Sequence, residues 1–287
     1  MLKKTKNHGG FISIYMKKAF CDMHTHSVFS HDATKNSSVM ALCRRAAELG
    51  FTDIAITDHC DTDGEKEGIY IPYDRDAAWA EMTKAKEIFH GKLNVLRGIE
   101  LGQPSYYPEY TKKILSSHPY EFIIGSVHNL RGVPDFCMMK YENMPVPLAA
   151  QLFDRTLDEM FSIADFPIDT LAHMTYQNRY MAISKMKFDF SPFKDKIAAL
   201  FEKLIKNDIA LELNVSTLWR GYGFTMPHEE LLKLYKAVGG TLFTIGSDAH
   251  SPENLGKCIG EGMEMLGALG FSRLLVVRDG KKEIVRF

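Results

Sequence analysis

Cysteine is scarce in this sequence, and its few cysteines form no recognisable pattern. The 287 residues include five cysteines, an odd number, without any C-x-x-C spacing (Cys21, Cys43, Cys60, Cys137 and Cys258). Small secreted domains instead depend on paired, regularly spaced cysteines for their stability. The sequence therefore argues against a disulfide framework, and we expect a cytoplasmic protein that works under reducing conditions.

Long apolar runs are also missing. No run approaches the roughly 18 residues that a membrane-spanning helix needs. The apolar run at 11–16 follows a basic N-terminus, but it is short for a signal-peptide core and no small-residue cleavage site follows it. We therefore expect neither a membrane partner nor export, and we interpret residues 1–15 as an extension outside the fold, with Met16 as a candidate natural start.

The sequence has no excess of charge and lacks two common catalytic motifs. It contains 35 Lys and Arg against 36 Asp and Glu, a formal net charge of −1, so no global field would attract nucleic acid. We do not expect nucleic acid as a partner. The motifs G-x-S-x-G and G-x-x-x-x-G-K-[ST] are both absent, which argues against a serine nucleophile elbow and a P-loop nucleotide site.

What the sequence does contain is histidine at the ends of apolar runs. His24 and His26 follow such a run, and residues i and i+2 of a strand point to the same side. Neutral imidazole is the commonest metal ligand in proteins. One H-x-H pair is a weak signal, but the pattern recurs along the chain. The recurring strand-end groups are His24, His26, His59, Glu100, His128, His173, Asp248 and His250.

Strand-like and helix-like segments alternate along the whole chain. The predicted strands are 19–23, 51–57, 93–101, 122–127, 168–172, 210–215 and 242–246, and a β-hairpin is predicted over 273–287. The predicted helices are 38–49, 74–89, 110–116, 148–163, 192–206, 227–238 and 251–270, the last capped by Ser251-Pro252. Residues 129–147 are interpreted as a long loop over the site.

Seven consecutive β/α units without a linker favour one α/β barrel, a (β/α)7 fold, over two domains. Residues 16–287 would form this single domain. Functional groups at the carboxyl ends of the strands are the general rule in such barrels, which fits the positions of the histidines. An open doubly wound sheet is the alternative architecture.

The strand-end groups predict a centre of divalent metal ions. Imidazoles and carboxylates without thiolates suit Zn, Mn or Fe. There are more such groups than one ion needs, so we expect two or three ions, with a carboxylate such as Glu100 bridging them. Asp22 and Asp58 adjoin ligand histidines, so we expect them to point away and make structural hydrogen bonds. Clustered metals suit phosphoester hydrolysis.

A phosphate substrate also needs planar, bidentate donors, which arginine supplies. Arg179 follows the strand end at His173, and Arg220 follows the strand end at 214–216. Both are candidate phosphate-binding residues, and Arg131 is a weaker third. The alternative role for each is a solvated or salt-bridged surface arginine.

Six short motifs carry a resemblance to a known family. They are D-M-H-T-H at 22–26, I-T-D-H at 56–59, G-I-E at 98–100, G-S-V-H at 125–128, L-A-H at 171–173 and G-S-D-A-H at 246–250. In this order and spread, the sequence resembles the polymerase and histidinol phosphatase (PHP) superfamily. The resemblance implies a distorted seven-stranded β/α barrel with a trinuclear metal centre.

The resemblance also implies a set of ligands. One ion would be held by His24, His26, Glu100 and Asp248, a second by Glu100, His128 and His173, and a third by Asp32, His59 and His250. The family's ligand after H-x-H is His or Asp, and here His31 and Asp32 are adjacent. We favour Asp32 because it sits in the commoner S-x-D pattern, and His31 stays the alternative ligand or a residue behind the ligands. Arg179 and Arg220 would grip the phosphate.

Within the superfamily, the segments around 126, 212 and 244 look most like those of stand-alone histidinol phosphatases. This resemblance predicts hydrolysis of a small phosphorylated substrate, L-histidinol phosphate, in histidine biosynthesis. Asp248 and His250 are the candidate catalytic residues that hold or relay a proton. We expect no proofreading role, because no polymerase domain accompanies the motifs. The alternatives are a PHP hydrolase of nucleotide or nucleic-acid phosphodiesters and a non-catalytic metal-binding protein.

The organic half of the substrate would need its own contacts. The amine of histidinol calls for an acidic or aromatic partner, and the loop at 129–147 lies where it could supply one. The candidates in that loop are Asp135, Phe136, Tyr141 and Glu142.

Overall fold

The computed structural model describes residues 20–287. The predicted extension at 1–15 and the candidate start at Met16 lie outside the described residues. No helix in the described part of the chain is both long and apolar enough to cross a membrane.

The described chain alternates between strands and helices as its hydrophobic pattern predicts. The strands are β1 (Cys21–Thr25), β2 (Asp53–Ile56), β3 (His59–Asp61), β4 (Asn94–Gly102), β5 (Phe122–Ser126), β6 (Thr170–Leu171), β7 (Ala210–Asn214), β8 (Phe243–Gly246), β9 (Arg273–Arg278) and β10 (Lys281–Arg286). The helices are α1 (Val39–Glu48), α2 (Thr62–Lys66), α3 (Arg75–Ile88), α4 (Pro108–Ser117), α5 (Val146–Ile163), α6 (Tyr176–Ile183), α7 (Lys194–Lys206), α8 (Ser216–Trp219), α9 (Glu229–Ala237) and α10 (Ile259–Ala268). Short 3₁₀ turns lie at Phe136–Met138 and Ser191–Phe193.

One mostly parallel sheet follows the order β1-β2-β4-β5-β6-β7-β8, and β3 pairs beside β4. Its first and last parallel strands meet through two backbone hydrogen bonds. Asp248 N donates to His24 O (2.9 Å), and His26 N donates to Ala249 O (2.8 Å). We call this junction of β1 with the end of β8 the seam. The seam brings the two ends of the parallel sheet together as in a distorted barrel, as predicted.

The predicted terminal hairpin is present and is tied to the base of the barrel. β9 and β10 pair antiparallel around Asp279-Gly280, both of which have positive φ. Arg278 on β9 donates two hydrogen bonds to the buried Asp53 carboxylate on β2, at 2.9 and 2.7 Å. Asn94 on β4 donates to the same carboxylate and to Val277 O. The hairpin therefore contacts the N-terminal ends of the first barrel strands.

The predicted start of the last helix is wrong. Residues 251–258 form turns, and α10 begins only at Ile259, after Cys258 in the left-handed region (φ 59°). The Asp22 carboxylate accepts a hydrogen bond from Gly256 N (3.0 Å), which holds this segment against β1. A tertiary contact thus overrides the local capping signal of Ser251-Pro252. By contrast, Ser38 caps α1 through its side chain, as predicted.

The structure contains four short elements that the sequence analysis did not predict. They are β3, α2, α6 and α8, which all lie in the segments that follow barrel strands. Each is five residues or shorter except α6, which has eight. Elements of this length carry too few periods to stand out in a hydrophobic pattern. All four lie near the edge where the histidines collect.

Candidate metal centre

Two imidazoles lie at the carboxyl end of β1, one on the strand and one directly after it. His24 and His26 are fully buried, and both face the same side of the strand, as their spacing predicts. Their neighbour Asp22 points the other way and accepts hydrogen bonds from Ser247 N (2.9 Å) and Ser247 Oγ (2.6 Å). Asp22 therefore joins β1 to the segment after β8 and takes the structural role expected for it.

Asp58 has the same kind of structural role beside His59. Its carboxylate accepts hydrogen bonds from Ser27 N (2.6 Å), Ser27 Oγ (2.7 Å) and Ser30 Oγ (2.8 Å). Ser30 Oγ in turn lies 3.1 Å from His26 Nδ1. Asp58 is thus linked to a candidate ligand through one serine, and it fixes the orientation of the loop after β1.

Glu100, at the end of β4, is the hub of the centre. The carboxylate is fully buried, and its two oxygens face different imidazoles. Oε2 lies 3.4 Å from His24 Nε2 and 3.7 Å from His26 Nε2. Oε1 lies 3.2 Å from His128 Nε2 and 2.9 Å from His173 Nε2. A carboxylate placed between two sets of imidazoles has the geometry of a bridging ligand.

A third set of groups lies at the outer side of the centre. Asp32 Oδ2 is 3.1 Å from His250 Nε2, and Asp32 Oδ1 is 3.6 Å from His59 Nε2. His31 instead stacks on Tyr70, with ring centroids 5.0 Å apart, and is exposed. The structure therefore brings Asp32 together with His59 and His250, while the ring of His31 packs at the mouth of the site.

Asp248 completes the inner set. Its Oδ1 lies 3.4 Å from His26 Nε2 and 4.0 Å from His24 Nε2. Asp248 and His173 both have positive φ, 54° and 22°, a region that costs non-glycine residues roughly 1–3 kcal/mol. The seam hydrogen bond from Asp248 N, and one from His173 N to Glu212 Oε2 (2.8 Å), hold these two backbones in place.

Two carboxylates that the sequence analysis missed orient the ligand imidazoles. Glu212 Oε1 accepts from His24 Nδ1 at 2.6 Å, and Asp61 Oδ1 accepts from His128 Nδ1 at 2.8 Å. Both carboxylates are buried. The available signal was positional, since Asp61 is two residues beyond His59 in β3 and Glu212 is the one charged residue of the apolar strand β7.

The donor set fits divalent metal ions. Among residues 20–287, the buried atoms His24 Nε2, His26 Nε2 and Glu100 Oε2 have no hydrogen-bond partner. Two ligands about 2.1 Å from a tetrahedral ion lie about 3.4 Å apart, close to the His24–Glu100 and His26–Asp248 separations above. With Nδ1 of His24 and His128 tied to carboxylates, their Nε2 atoms are left for a metal, the pattern typical of metal-binding histidines.

The ionisation of the buried carboxylates depends on the imidazoles around them. Burial opposes ionisation of Glu100, but the neighbouring imidazoles of His24, His59 and His128 hold its pKa well below its usual range. Burial likewise opposes ionisation of Asp248, and His26, His24 and His250 hold its pKa low. Both carboxylates are therefore ionised near neutral pH, which is the state in which they bind metal.

A cavity of about 270 Å³ opens directly onto these groups. Its lining combines candidate metal ligands with arginines and tyrosines: Asp32, His59, His128, Cys137, His173, Tyr176, Arg179, Tyr180, Arg220, Asp248 and His250. Its size suits a small metabolite better than a polymer. Arg131, the weaker candidate, is exposed and instead donates to Tyr106 O (2.9 Å), away from this lining.

The two arginines of the cavity are held by aromatic rings rather than by carboxylates. Arg179 lies 4.9 Å from the ring centroid of Tyr180, and Arg220 lies 4.3 Å from that of Trp219. Within residues 20–287, no carboxylate oxygen lies within 4.0 Å of either guanidinium. Burial lowers the pKa of Arg220, and the positive charge of Arg179 lowers it further. An anion placed between the two would relieve this repulsion.

Comparison with known proteins identifies a matching domain family and similar relatives. The PHP domain family model matches residues 22–216. A probable histidinol-phosphatase of Thermotoga maritima is 29% identical over 267 residues, which cover 91% of this chain and 96% of that protein. A probable histidinol-phosphatase of Clostridium acetobutylicum is 26% identical over 238 residues, which cover 82% of this chain and 88% of that protein.

A solved structure confirms the predicted fold. The histidinol phosphate phosphatase of Lactococcus lactis, crystallised with zinc, L-histidinol and phosphate, superposes with a TM-score of 0.73 at 20% identity. The match covers 92% of this chain and 98% of that chain. The structure of a "putative histidinol phosphatase" from Listeria monocytogenes gives the same TM-score at 19% identity. This match covers 84% of this chain and 99% of that chain.

Proposed function

The chain belongs to the PHP domain family, and on this basis we propose that it is a metal-dependent phosphomonoesterase that hydrolyses L-histidinol phosphate to L-histidinol and phosphate. This reaction would place the enzyme in histidine biosynthesis. The names of the two bacterial relatives and the small cavity support this substrate. The expected cytoplasmic location remains part of the proposal.

One observation carries the reaction class. Arg179 and Arg220 lack carboxylate partners within 4.0 Å among the described residues, and they line the same small cavity as the candidate metal ligands. A buried guanidinium N–H without an acceptor is costly, and the buried Arg179 Nε donates no hydrogen bond to any part of residues 20–287. A phosphate dianion supplies the missing acceptors for both side chains. This arrangement favours a phosphomonoester over a neutral substrate.

We propose two or three divalent ions of Zn, Mn or Fe. The sets are His24, His26, Glu100 and Asp248 for the first ion, Glu100, His128 and His173 for the second, and Asp32, His59 and His250 for the third. The hub position of Glu100 supports its bridging role, and the contacts of Asp32 with His59 and His250 support Asp32 over His31. When bound, such ions act as Lewis acids and supply a nucleophilic water at neutral pH.

The side chains around the cavity have separate roles in the proposed reaction. Arg179 and Arg220 bind the phosphoryl oxygens and stabilise the charge that develops on them. Asp248 holds the proton of the attacking water, and His250, whose Nδ1 donates to Asp248 O at 3.0 Å, holds the Asp248 backbone in place for this role. The alcohol then leaves after it gains this proton. The rings of Tyr176 and Tyr180 shield the site from bulk water.

The test is phosphate release by the purified protein from a substrate panel. The panel contains L-histidinol phosphate, two generic phosphomonoesters, bis-p-nitrophenyl phosphate and a dinucleotide. We expect the highest kcat/KM with L-histidinol phosphate. A preference for the dinucleotide would replace the proposal with a phosphodiesterase, and no turnover with any added metal would replace it with a non-catalytic metal-binding protein.

A further inference from the structure

One wall of the cavity comes from the segment between β5 and α5. Cys137 lines the cavity and belongs to the 3₁₀ turn Phe136–Met138. Asp135 caps this turn, since its Oδ1 accepts a hydrogen bond from Cys137 N at 2.7 Å. The carboxylate of Asp135 is therefore fixed immediately beside a residue of the cavity wall.

A pair of tyrosines links Asp135 to the arginine side of the cavity. The Tyr180 hydroxyl donates to the Tyr176 hydroxyl at 2.9 Å, and the Tyr176 hydroxyl lies 3.5 Å from Asp135 Oδ1. Both tyrosines line the cavity, and Arg179 lies against both rings. The tyrosine pair thus connects Arg179, which lines the cavity, to the carboxylate of Asp135 just behind the lining.

The carboxylate of Asp135 has no cationic partner within the protein's described part. No Lys, Arg or His nitrogen of residues 20–287 lies within 4.0 Å of it. Asp135 is also half-buried, so solvent screens its charge only partly. An unpaired carboxylate that contacts the lining of a cavity in which two arginines lack carboxylate partners is complementary to a substrate that carries both an anion and a cation.

The other candidates for an amine partner in this loop do not fit. Phe136 and Tyr141 are both buried in apolar clusters, at 0% and 1% exposure. Glu142 is exposed and makes no hydrogen bond to a residue of the cavity lining, whereas Asp135 contacts both Tyr176 and Cys137. Of the acidic residues at 129–147, Asp135 alone adjoins residues that line the cavity.

We propose that Asp135 is the specificity-determining residue that binds the ammonium group of the substrate. The assignment rests on the proposed function, because that substrate bears an ammonium group beside its phosphate ester. Asp135 accepts a hydrogen bond from the ammonium group, while Arg179 and Arg220 bind the phosphate. The Tyr176 ring adds a cation–π contact next to the same group. Phosphomonoesters without an amine bind only at the arginine end.

Asp135→Asn tests the assignment, since asparagine also caps a turn but carries no charge. The kcat/KM of wild type and variant is measured with L-histidinol phosphate and with its deamino analogue, 3-(imidazol-4-yl)propyl phosphate. We expect a loss of about ten- to hundredfold with L-histidinol phosphate, the size of one charged hydrogen bond, and less than about twofold with the analogue. Glu142→Gln, in the same loop, should change neither value.

The outcomes separate this assignment from the proposed function. Equal losses on both substrates would assign Asp135 a purely structural role, and no loss on either would remove it from substrate binding. A wild type that hydrolyses the analogue as well as L-histidinol phosphate would show that the amine is not recognised. A wild type that fails on L-histidinol phosphate altogether would overturn the proposed function and this assignment together. Thermal unfolding of the variant checks that the turn is intact.

Discussion

At the scale of single residues, the centre depends on which nitrogen of each histidine is engaged. Nδ1 of His24 and His128 donates to a buried carboxylate, so Nε2 faces Glu100 in both cases. The hydrogen bond fixes both the tautomer and the direction of the ring. The residues behind the ligands therefore determine the geometry of the centre as much as the ligands do.

Replacement of Glu212 should reveal this dependence. Glu212→Gln keeps the shape of the side chain but removes the charge that favours the required tautomer of His24. We expect metal affinity to fall about 10- to 100-fold while the protein stays folded. Competition with a chromogenic chelator measures the affinity, and Glu202→Gln, exposed on α7, is the matched control. Unchanged affinity would mean that Glu212 has only a structural role.

A second pair of variants separates Asp32 from His31. Because Asp32 contacts His59 and His250, Asp32→Ala should lower bound metal by about one ion per chain and kcat/KM by at least about tenfold. His31→Ala should keep the metal content and change kcat/KM only mildly, since the His31 ring packs on Tyr70. Metal analysis beside initial rates decides between them. The reverse ranking would make His31 the ligand.

The phosphate-binding arginines can be tested in the same way. Arg220→Ala removes charged hydrogen bonds worth roughly 1.5–3 kcal/mol, so kcat/KM should fall about ten- to hundredfold. Inhibition by inorganic phosphate should weaken in parallel. Arg131→Ala is the control, because that side chain lies outside the cavity lining. Equal effects of the two substitutions would count against Arg220 as a phosphate-binding residue.

The sequence predicts the candidate metal ligands better than it predicts the carboxylates that orient them. The candidate ligands lie at strand ends, where barrel folds place functional groups, so residue type and position together predict the site. Glu212 and Asp61 could not be found this way, because a buried carboxylate acquires its role only from a partner distant in sequence. Likewise, Asp135 could be proposed from composition but separated from Phe136 and Tyr141 only by their observed burial.

At the scale of secondary-structure elements, the helices and strands with strong periodicity agree with the prediction, and the errors lie where tertiary contacts compete. Ser251-Pro252 is a favourable helix start, yet the Asp22 carboxylate binds Gly256 N and delays α10 to Ile259. A helix cap of this kind typically contributes about 1 kcal/mol. A buried charged hydrogen bond exceeds that, so the cap signal is overridden.

The terminal hairpin provides a prediction at this scale. Arg278→Ala removes both hydrogen bonds to Asp53 and leaves that buried carboxylate without its charged partner. We expect the free energy of unfolding to fall by about 2 kcal/mol, with the metal centre unchanged. Urea unfolding measures the loss. Arg273→Ala, exposed at the start of β9, should cost less than about 0.5 kcal/mol. Equal costs would mean that the Asp53 contact does not stabilise the hairpin.

At the scale of the whole molecule, metal and barrel should stabilise one another. The proposed ligands come from strands around the whole sheet, so an ion that binds only the folded chain raises its stability. Removing metal with a chelator should abolish activity and lower the melting temperature by about 5 °C or more, while far-UV circular dichroism stays near native. Adding back Zn, Mn or Fe should reverse both changes.

The matched variant for this experiment is His128→Ala. It removes one proposed ligand at the loop-bearing rim of the barrel, outside the packed interior, so the fold should persist. Chelator should then cause a smaller further drop in melting temperature than in the wild type. Full activity at a reproducible metal content near zero would contradict the proposed centre.

The seam between β1 and the end of β8 also has a consequence for biosynthesis. The ribosome makes His24 and His26 more than 200 residues before Asp248 and His250, and the chain folds as it emerges. Two imidazoles alone are an incomplete and weakly selective chelate. The full ligand set exists only once the last barrel strand has been released and the seam has closed. The proposed ions would therefore bind only after the barrel has been translated, and the metal supply at that moment would select among Zn, Mn and Fe.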